Sequence, residues 1–116
     1  MTIRDIVDKL DLKVLAGEDA LDKEVRTGYC CDLLSWVMAH GPQNGVWITV
    51  QTHTNVIAVA TLLDIACIII PESIPVNDKT IEKAEEEGVV LLSSSASAYE
   101  LAGKLYSLGI SSPSED

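Results

Sequence analysis

The chain has 116 residues, of which 47% are hydrophobic and 4% aromatic, with no Phe. Its 18 acidic and 8 basic residues give a formal net charge of −10 at pH 7. That charge opposes binding to nucleic acid or anionic lipid, because both depend on Lys and Arg neutralising phosphate. The length predicts one domain with an aliphatic core, and no apolar run is long enough for a membrane span. Three cysteines without a signal peptide predict a reduced, cytoplasmic protein.

Helices and strands alternate along most of the chain. The predicted helices cover residues 2–10, 32–39, 55–63, 78–87 and 97–108. The predicted strands or extended segments cover residues 12–15, 23–31, 46–50, 66–70 and 89–92. Thr2, Asp32 and Ser97 are the expected N-caps. This alternation predicts an α/β fold, a three-layer sandwich around a mainly parallel sheet, in a single domain of residues 1–110. Segment 23–31 fits either edge of the sheet, and residues 111–116 are predicted to form a flexible tail.

The stretch Gly45 to Asp64 organises this pattern. A β-branched, buried strand leads through a polar corner into a helix, residues 55–63, that is apolar on nearly every face. A chain of this size does not easily bury such a helix alone, so a second copy is expected to cover it. The residues predicted to form this dimer interface are Asn55, Ile57, Ala58 and Leu62.

Two polar corners follow buried strands, where parallel sheets collect ligands beside helix N-termini. The candidate ligand-binding residues are Thr52, His53, Thr54, Ser94, Ser95 and Ser97. Hydroxyls and free backbone N–H groups at the positive end of a helix suit phosphate or carboxylate. The alternative is ordinary N-capping by Thr52 or Thr54 in the first corner, and by Ser95 or Ser97 in the second.

The histidines and cysteines do not identify a reaction or a metal site. His53 is the only histidine in a corner, and a lone histidine is more often a structural hydrogen-bonding group. Cys30, Cys31 and Cys67 lack CxxC spacing, so they are interpreted as small buried hydrophobic residues rather than metal ligands. We therefore assign no catalytic residue, metal or cofactor, although an enzyme using His53 or Cys67 is a third hypothesis.

Residues 12–35 resemble the DRTGG domain family. Arg26, Thr27 and Gly28 match the motif that names the family, while Val25 and Tyr29 stand in place of its Asp and second Gly. Residues 46–71 and 85–106 also look like the standalone members of this family. The similarity extends over roughly residues 3–110 as an ordered set of blocks.

The family is similar to the N-terminal domain of HPr kinase/phosphorylase, which is α/β and is not the catalytic half. The kinase reaction requires a P-loop, and this sequence has none, so phosphotransfer is not implied. DRTGG domains also occur as inserts in CBS-domain pyrophosphatases, and standalone relatives often accompany iron-hydrogenase or kinase components. The resemblance implies a regulatory or accessory partner of such systems. Together with the apolar helix at residues 55–63, it makes a non-catalytic, homodimeric regulatory module the leading hypothesis. A sensor of a small anion or nucleotide is the alternative.

Overall fold

Five short strands form one sheet, and helices cover both of its faces. The computed structural model describes residues 1–113. The strands are β1 (Lys13–Ala16), β2 (Thr27–Cys30), β3 (Gly45–Ile48), β4 (Cys67–Ile70) and β5 (Val90–Ser93). The helices are α1 (Ile3–Leu10), α2 (Leu34–His40), α3 (Asn55–Leu63), α4 (Asp78–Glu87) and α5 (Ala98–Ser107), with a short 3-10 helix at Glu18–Ala20.

The strands lie in the order β1-β5-β4-β3-β2, and all neighbours except the antiparallel pair β1 and β5 are parallel. This confirms the predicted mainly parallel α/β sheet. Segment 23–31, which fits either edge of the sheet by sequence, contains β2. This strand pairs with β3 so that Gly28 lies opposite Val46. Each parallel pair is joined by a helical crossover, as parallel strands require.

The sheet separates two hydrophobic clusters, which confirms the three-layer sandwich. Side chains alternate between the two faces of each strand because the pleat has a period of two residues. One face of the sheet packs against α1 and α5 through Val46, Ile48, Cys67, Ile69, Val90 and Leu92. The other face packs against α2, α3 and α4 through Trp47, Ile68, Ile70 and Leu91. Trp47 is fully buried, and its Nε1–H donates to the carbonyl of Cys31 at 2.8 Å.

Local capping explains where several helices begin. The Thr2 side chain accepts from Asp5 N–H while the Asp5 carboxylate accepts from Thr2 N–H, which forms a complete capping box. The predicted Ser97 cap is confirmed, since its Oγ accepts from the Glu100 N–H at 3.2 Å. Asn77 caps α4 in the same way, through the N–H of Thr80.

The prediction that Asp32 caps α2 is wrong. The residue at the N-cap is Leu33, and no side chain caps this helix. The Asp32 carboxylate turns away from α2 and accepts hydrogen bonds from the loop that follows β3. Asp32 therefore connects two loops and does not start a helix.

The chain itself covers most of α3. Its bounds are those predicted, and Val56, Ile57, Val59 and Ala60 are buried against the sheet and neighbouring helices. Ile57 is therefore wrongly assigned to a dimer interface, because its side chain is inaccessible. Asn55, Ala58 and Leu62 remain exposed, so part of the predicted interface is still available to a partner.

The chain is still paired with the sheet at Ser111, which the sequence analysis placed in the tail. Ser111 forms a parallel bridge with Thr27, and its carbonyl accepts from the N–H of Gly28 at 3.0 Å. The predicted tail also includes residues 114–116, which lie outside the described residues.

Within residues 1–113, every helix is too short or too polar to cross a lipid bilayer.

Candidate functional site

The carboxyl ends of β2 to β5 bring four loops to one edge of the sheet. These loops cover residues 31–33, 49–54, 71–77 and 94–97. The first three loops lead to helices on one face, whereas the loop after β5 leads to α5 on the opposite face. Both predicted polar corners lie along this edge, which is the place where open parallel sheets bind ligands.

A hydrogen-bonded bracket that the sequence analysis missed joins the loops after β2 and β3. Asp32 Oδ1 accepts from Thr49 Oγ1 and from the N–H of Val50, each at 2.9 Å. Gln51 Nε2 donates to the Asp32 carbonyl at 3.0 Å, and the Gln51 N–H donates to Thr49 Oγ1 at 3.2 Å. The Thr49 side chain is buried, so this bracket holds the start of the first polar corner in place.

Neither threonine of the first corner caps α3 as the capping alternative expects. Thr54 has helical backbone angles and forms no side-chain cap. The carbonyl of Thr52 accepts from Thr80 Oγ1 at 2.7 Å, which ties the corner to α4. His53 takes the role of a local cap, since its Nδ1 contacts the Asn55 side chain and accepts from the Asn55 N–H at 3.3 Å.

A groove of about 400 Å³ runs from this corner between α3 and α4. Its lining consists of His53, Thr54, Asn55, Ala58, Lys79, Glu82, Lys83 and Glu86. The Lys83 ammonium lies 3.1 Å from the Glu87 carboxylate, and this contact raises the Lys83 pKa. Lys79 forms no ion pair with the described residues, so its charge is available to a ligand.

Backbone hydrogen bonds tie the second corner to the loop after β4. The N–H groups of Glu72 and Ser73 donate to the carbonyls of Ala96 and Ser94 at 2.9 and 2.8 Å. Ser94 is buried, and its Oγ accepts from the Ala96 N–H at 3.0 Å. Ser97 Oγ is the α5 cap, which leaves the exposed Ser95 as the free hydroxyl of this corner.

The two corners are separate parts of the same edge of the sheet. They follow β3 and β5, which are separated by β4, and neighbouring strands lie about 4.8 Å apart. Their helices also leave on opposite faces of the sheet. The groove between α3 and α4 adjoins His53 and Thr54 of the first corner.

The family-motif residues lie at the opposite, amino-terminal end of the strands. Thr27 and Gly28 begin β2, and the N–H of Arg26 donates to the carbonyl of Asn44 at 3.0 Å. Thr27 Oγ1 is buried without a hydrogen-bond partner among residues 1–113. A Cβ at Gly45 would approach it to 2.7 Å, so this pair of residues packs tightly at the start of two strands.

The prediction of three buried cysteines is correct only for Cys67, because Cys31 is half-buried and Cys30 is exposed. Cys67 is buried, and desolvation raises its thiol pKa to about 12, so the thiolate nucleophile is absent at neutral pH. Burial and the neighbouring Asp32 carboxylate raise the pKa of Cys30. Cys30 and Cys31 belong to opposite faces of the sheet. Among residues 1–113, no three His, Cys, Asp or Glu side chains meet as a metal site would require.

The fold therefore defines a class of small α/β domain: a five-stranded, mainly parallel sheet between two helical layers. No protein-family model matches the sequence, and no curated protein matches it. The structure is similar to that of the CBS and DRTGG domains of the regulatory region of Clostridium perfringens pyrophosphatase, complexed with its activator diadenosine tetraphosphate. The TM-score is 0.71 at 11% sequence identity, over 88% of this chain and 44% of that chain. This chain thus spans less than half of that one, and the likeness is one of fold.

Proposed function

We propose that the chain is a DRTGG-like regulatory module that acts as a homodimer and without catalysis of its own. The fold shared with a regulatory region of a pyrophosphatase supports this proposal, as does the match of Arg26, Thr27 and Gly28 to the family motif. In this proposal the module works in the cytoplasm through protein contacts. Iron-hydrogenase or kinase components are the partners that the resemblance suggests.

An exposed apolar surface on α2 and α3 carries the proposal. We call it the α2–α3 surface, and its members are Leu33, Trp36, Asn55, Ala58 and Leu62. Leu33, Trp36 and Leu62 are 62%, 52% and 66% exposed. The Trp36 ring stacks on His40 with the ring centres 4.1 Å apart, which holds the indole at the surface. Exposed apolar groups of this size mark interaction sites, and tryptophans often dominate the binding energy there.

A second copy is the occupant we propose for this surface. These side chains stay exposed within residues 1–113, and a two-fold contact buries the same residues on both copies at once. The net charge of −10 adds repulsion between copies, so apolar burial is the term that drives this association.

The absence of catalysis in the proposal is supported by the titratable groups. The Cys67 thiol is buried and protonated, as its raised pKa requires. His53 contacts the side chains of Asn55 and Thr54, neither of which is an acid or an activated nucleophile. An enzyme using His53 or Cys67 is therefore the weakest of the three hypotheses.

Light scattering tests the dimer. At tens of micromolar we expect the wild-type chain to have twice the chain mass, and Leu62→Glu to have the mass of one chain because it buries a charge in the interface. Gln43→Glu adds the same charge in the exposed loop before β3 and should leave the dimer intact. At this concentration, a wild-type monomer, or a Leu62→Glu protein that is still dimeric, would contradict the proposal.

The first corner favours a second candidate function, the binding of an anionic ligand such as a nucleotide. The N-terminus of α3 has no hydroxyl cap, and Lys79 faces the adjoining groove without an ion pair among the described residues. A helix N-terminus with a free ammonium beside it suits phosphate. The net negative charge of the chain counts against this candidate.

Thermal-shift measurements with inorganic phosphate, ATP and diadenosine tetraphosphate test this candidate. Binding to the folded state raises the melting temperature. We expect Lys79→Ala to remove most of any rise, and Lys9→Ala, on the opposite helical layer, to keep it. If none of the three compounds changes the melting temperature of the wild type, the corner serves only to begin α3.

A further inference from the structure

The outward face of α5 carries two tyrosines, an ion pair and a glycine. Tyr99 and Tyr106 are 91% and 70% exposed. Glu100 Oε2 and Lys104 Nζ lie 3.1 Å apart. Since successive residues of an α-helix turn by about 100°, the tyrosines share one side of this face and the ion pair shares the other. Gly103 lies between them, directly opposite the buried stripe of the helix.

Nothing within residues 1–113 accounts for a glycine at position 103. It lies inside a helix, where glycine is the least favourable residue except proline, and its φ is not in the left-handed region. A Cβ at this position would meet no atom within 4 Å. The missing side chain therefore matters only for something that approaches α5 from outside, since small residues allow two helices to pack closely.

We propose that α5 packs against α5 of a second copy in an antiparallel two-fold contact centred on Gly103. In this arrangement Glu100 lies opposite Lys104 of the second copy, and Tyr99 lies opposite its Tyr106. Both pairs are centred within one residue of Gly103, so one two-fold axis satisfies both. A parallel contact would place the tyrosine side of one helix against the charged side of the other. The complementary charges therefore select the antiparallel arrangement.

This contact is separate from the α2–α3 surface, because α5 covers the other face of the sheet. Its ion pairs are exposed and screened by salt, so it is weaker than the proposed dimer and joins dimers at higher concentration. It does not depend on the α2–α3 dimer, since Leu62→Glu leaves the α5 face unchanged and should still form pairs through it.

Sedimentation velocity from tens of micromolar to one millimolar tests whether Glu100 and Lys104 pair across the α5 contact. We expect the wild type to gain mass with concentration beyond the dimer. Lys104→Glu and Glu100→Lys should each weaken this step at least tenfold, because each places like charges opposite one another. An equimolar mixture of the two variants should regain wild-type association. A wild type that gains no mass up to one millimolar, or variants that associate as the wild type does, would overturn the proposal.

Variants at Gly103 distinguish an effect on the α5 contact from an effect on folding. Gly103→Ala should raise the melting temperature of the fold, because alanine is the better helix former, and yet weaken the α5 association. Gly103→Leu should abolish this association while the far-ultraviolet circular dichroism stays unchanged. Undiminished association of Gly103→Leu would overturn the proposal. In the Leu62→Glu background, association through α5 converts monomers into dimers. The α5 contact is therefore tested even if the proposed α2–α3 dimer does not exist.

Discussion

Replacing Gly17 with alanine is expected to lower the free energy of unfolding by about 3 kcal/mol or more, because it combines a left-handed backbone with a steric clash. Gly17 joins β1 to the 3-10 helix at a φ of +85°. A Cβ there would lie 2.7 Å from Val90 Cα and 2.8 Å from the Val89 carbonyl oxygen. Both contacts are with backbone atoms at the start of β5, which cannot move aside as a flexible side chain can.

Gly88→Ala is the matched control. Gly88 ends α4 at a φ of +69°, but a Cβ there would meet no atom within 4 Å. Only the cost of a left-handed backbone applies, so we expect the free energy of unfolding to fall by about 1 kcal/mol. Urea unfolding followed by circular dichroism measures both values. Equal losses for the two variants would show that the close approach of Gly17 to β5 does not contribute to stability.

Removing the Asp32 carboxylate is expected to have the second largest effect, a loss of about 1 to 2 kcal/mol in the free energy of unfolding, since two hydrogen bonds to a charged acceptor disappear. In Asp32→Ala the buried hydroxyl of Thr49 and the N–H of Val50 lose their acceptor. The loss is limited because Asp32 itself is exposed, and water replaces part of the hydrogen bonding that is lost.

Two variants isolate the contribution of this bracket. Asp32→Asn keeps an acceptor at Oδ1 and should lose less stability than Asp32→Ala. Asp22→Ala removes an exposed carboxylate that lies 3.0 Å from Arg4 Nε, and it should leave the free energy of unfolding nearly unchanged. A loss in Asp32→Ala no larger than in Asp22→Ala would contradict the assigned role of Asp32.

Elements specified by nearby residues were predicted well. The bounds of α3 and α4 agree with the structure, and the capping box of Thr2 and Asp5 is present. These features depend on residues a few positions apart, which a single sequence displays directly. The edge that β2 occupies was not predictable, because strand order depends on contacts between distant segments.

The candidate site shows the same limit. Of the hydroxyls in the corner at Ser94–Ser97, those of Ser94 and Ser97 accept from nearby N–H groups, and Ser95 stays exposed. The pairing of this corner with Glu72 and Ser73 joins two separate loops, so no local pattern predicts it. Aspartate is a common N-cap residue, so the sequence alone does not distinguish an Asp32 that caps α2 from one that accepts from the loop after β3. Ile57 belongs to an all-round apolar helix, so its buried side could not be identified before the neighbouring helices were placed.

Hydrogen–deuterium exchange of the full chain at high and low micromolar concentration tests most directly whether a second copy covers the α2–α3 surface. We predict that amides of α2 and α3 exchange more slowly at the higher concentration, while those of α1 are unchanged, since burial at an interface suppresses local opening. Identical exchange of α2 and α3 at both concentrations, in a protein that light scattering finds monomeric, would contradict the proposed homodimer.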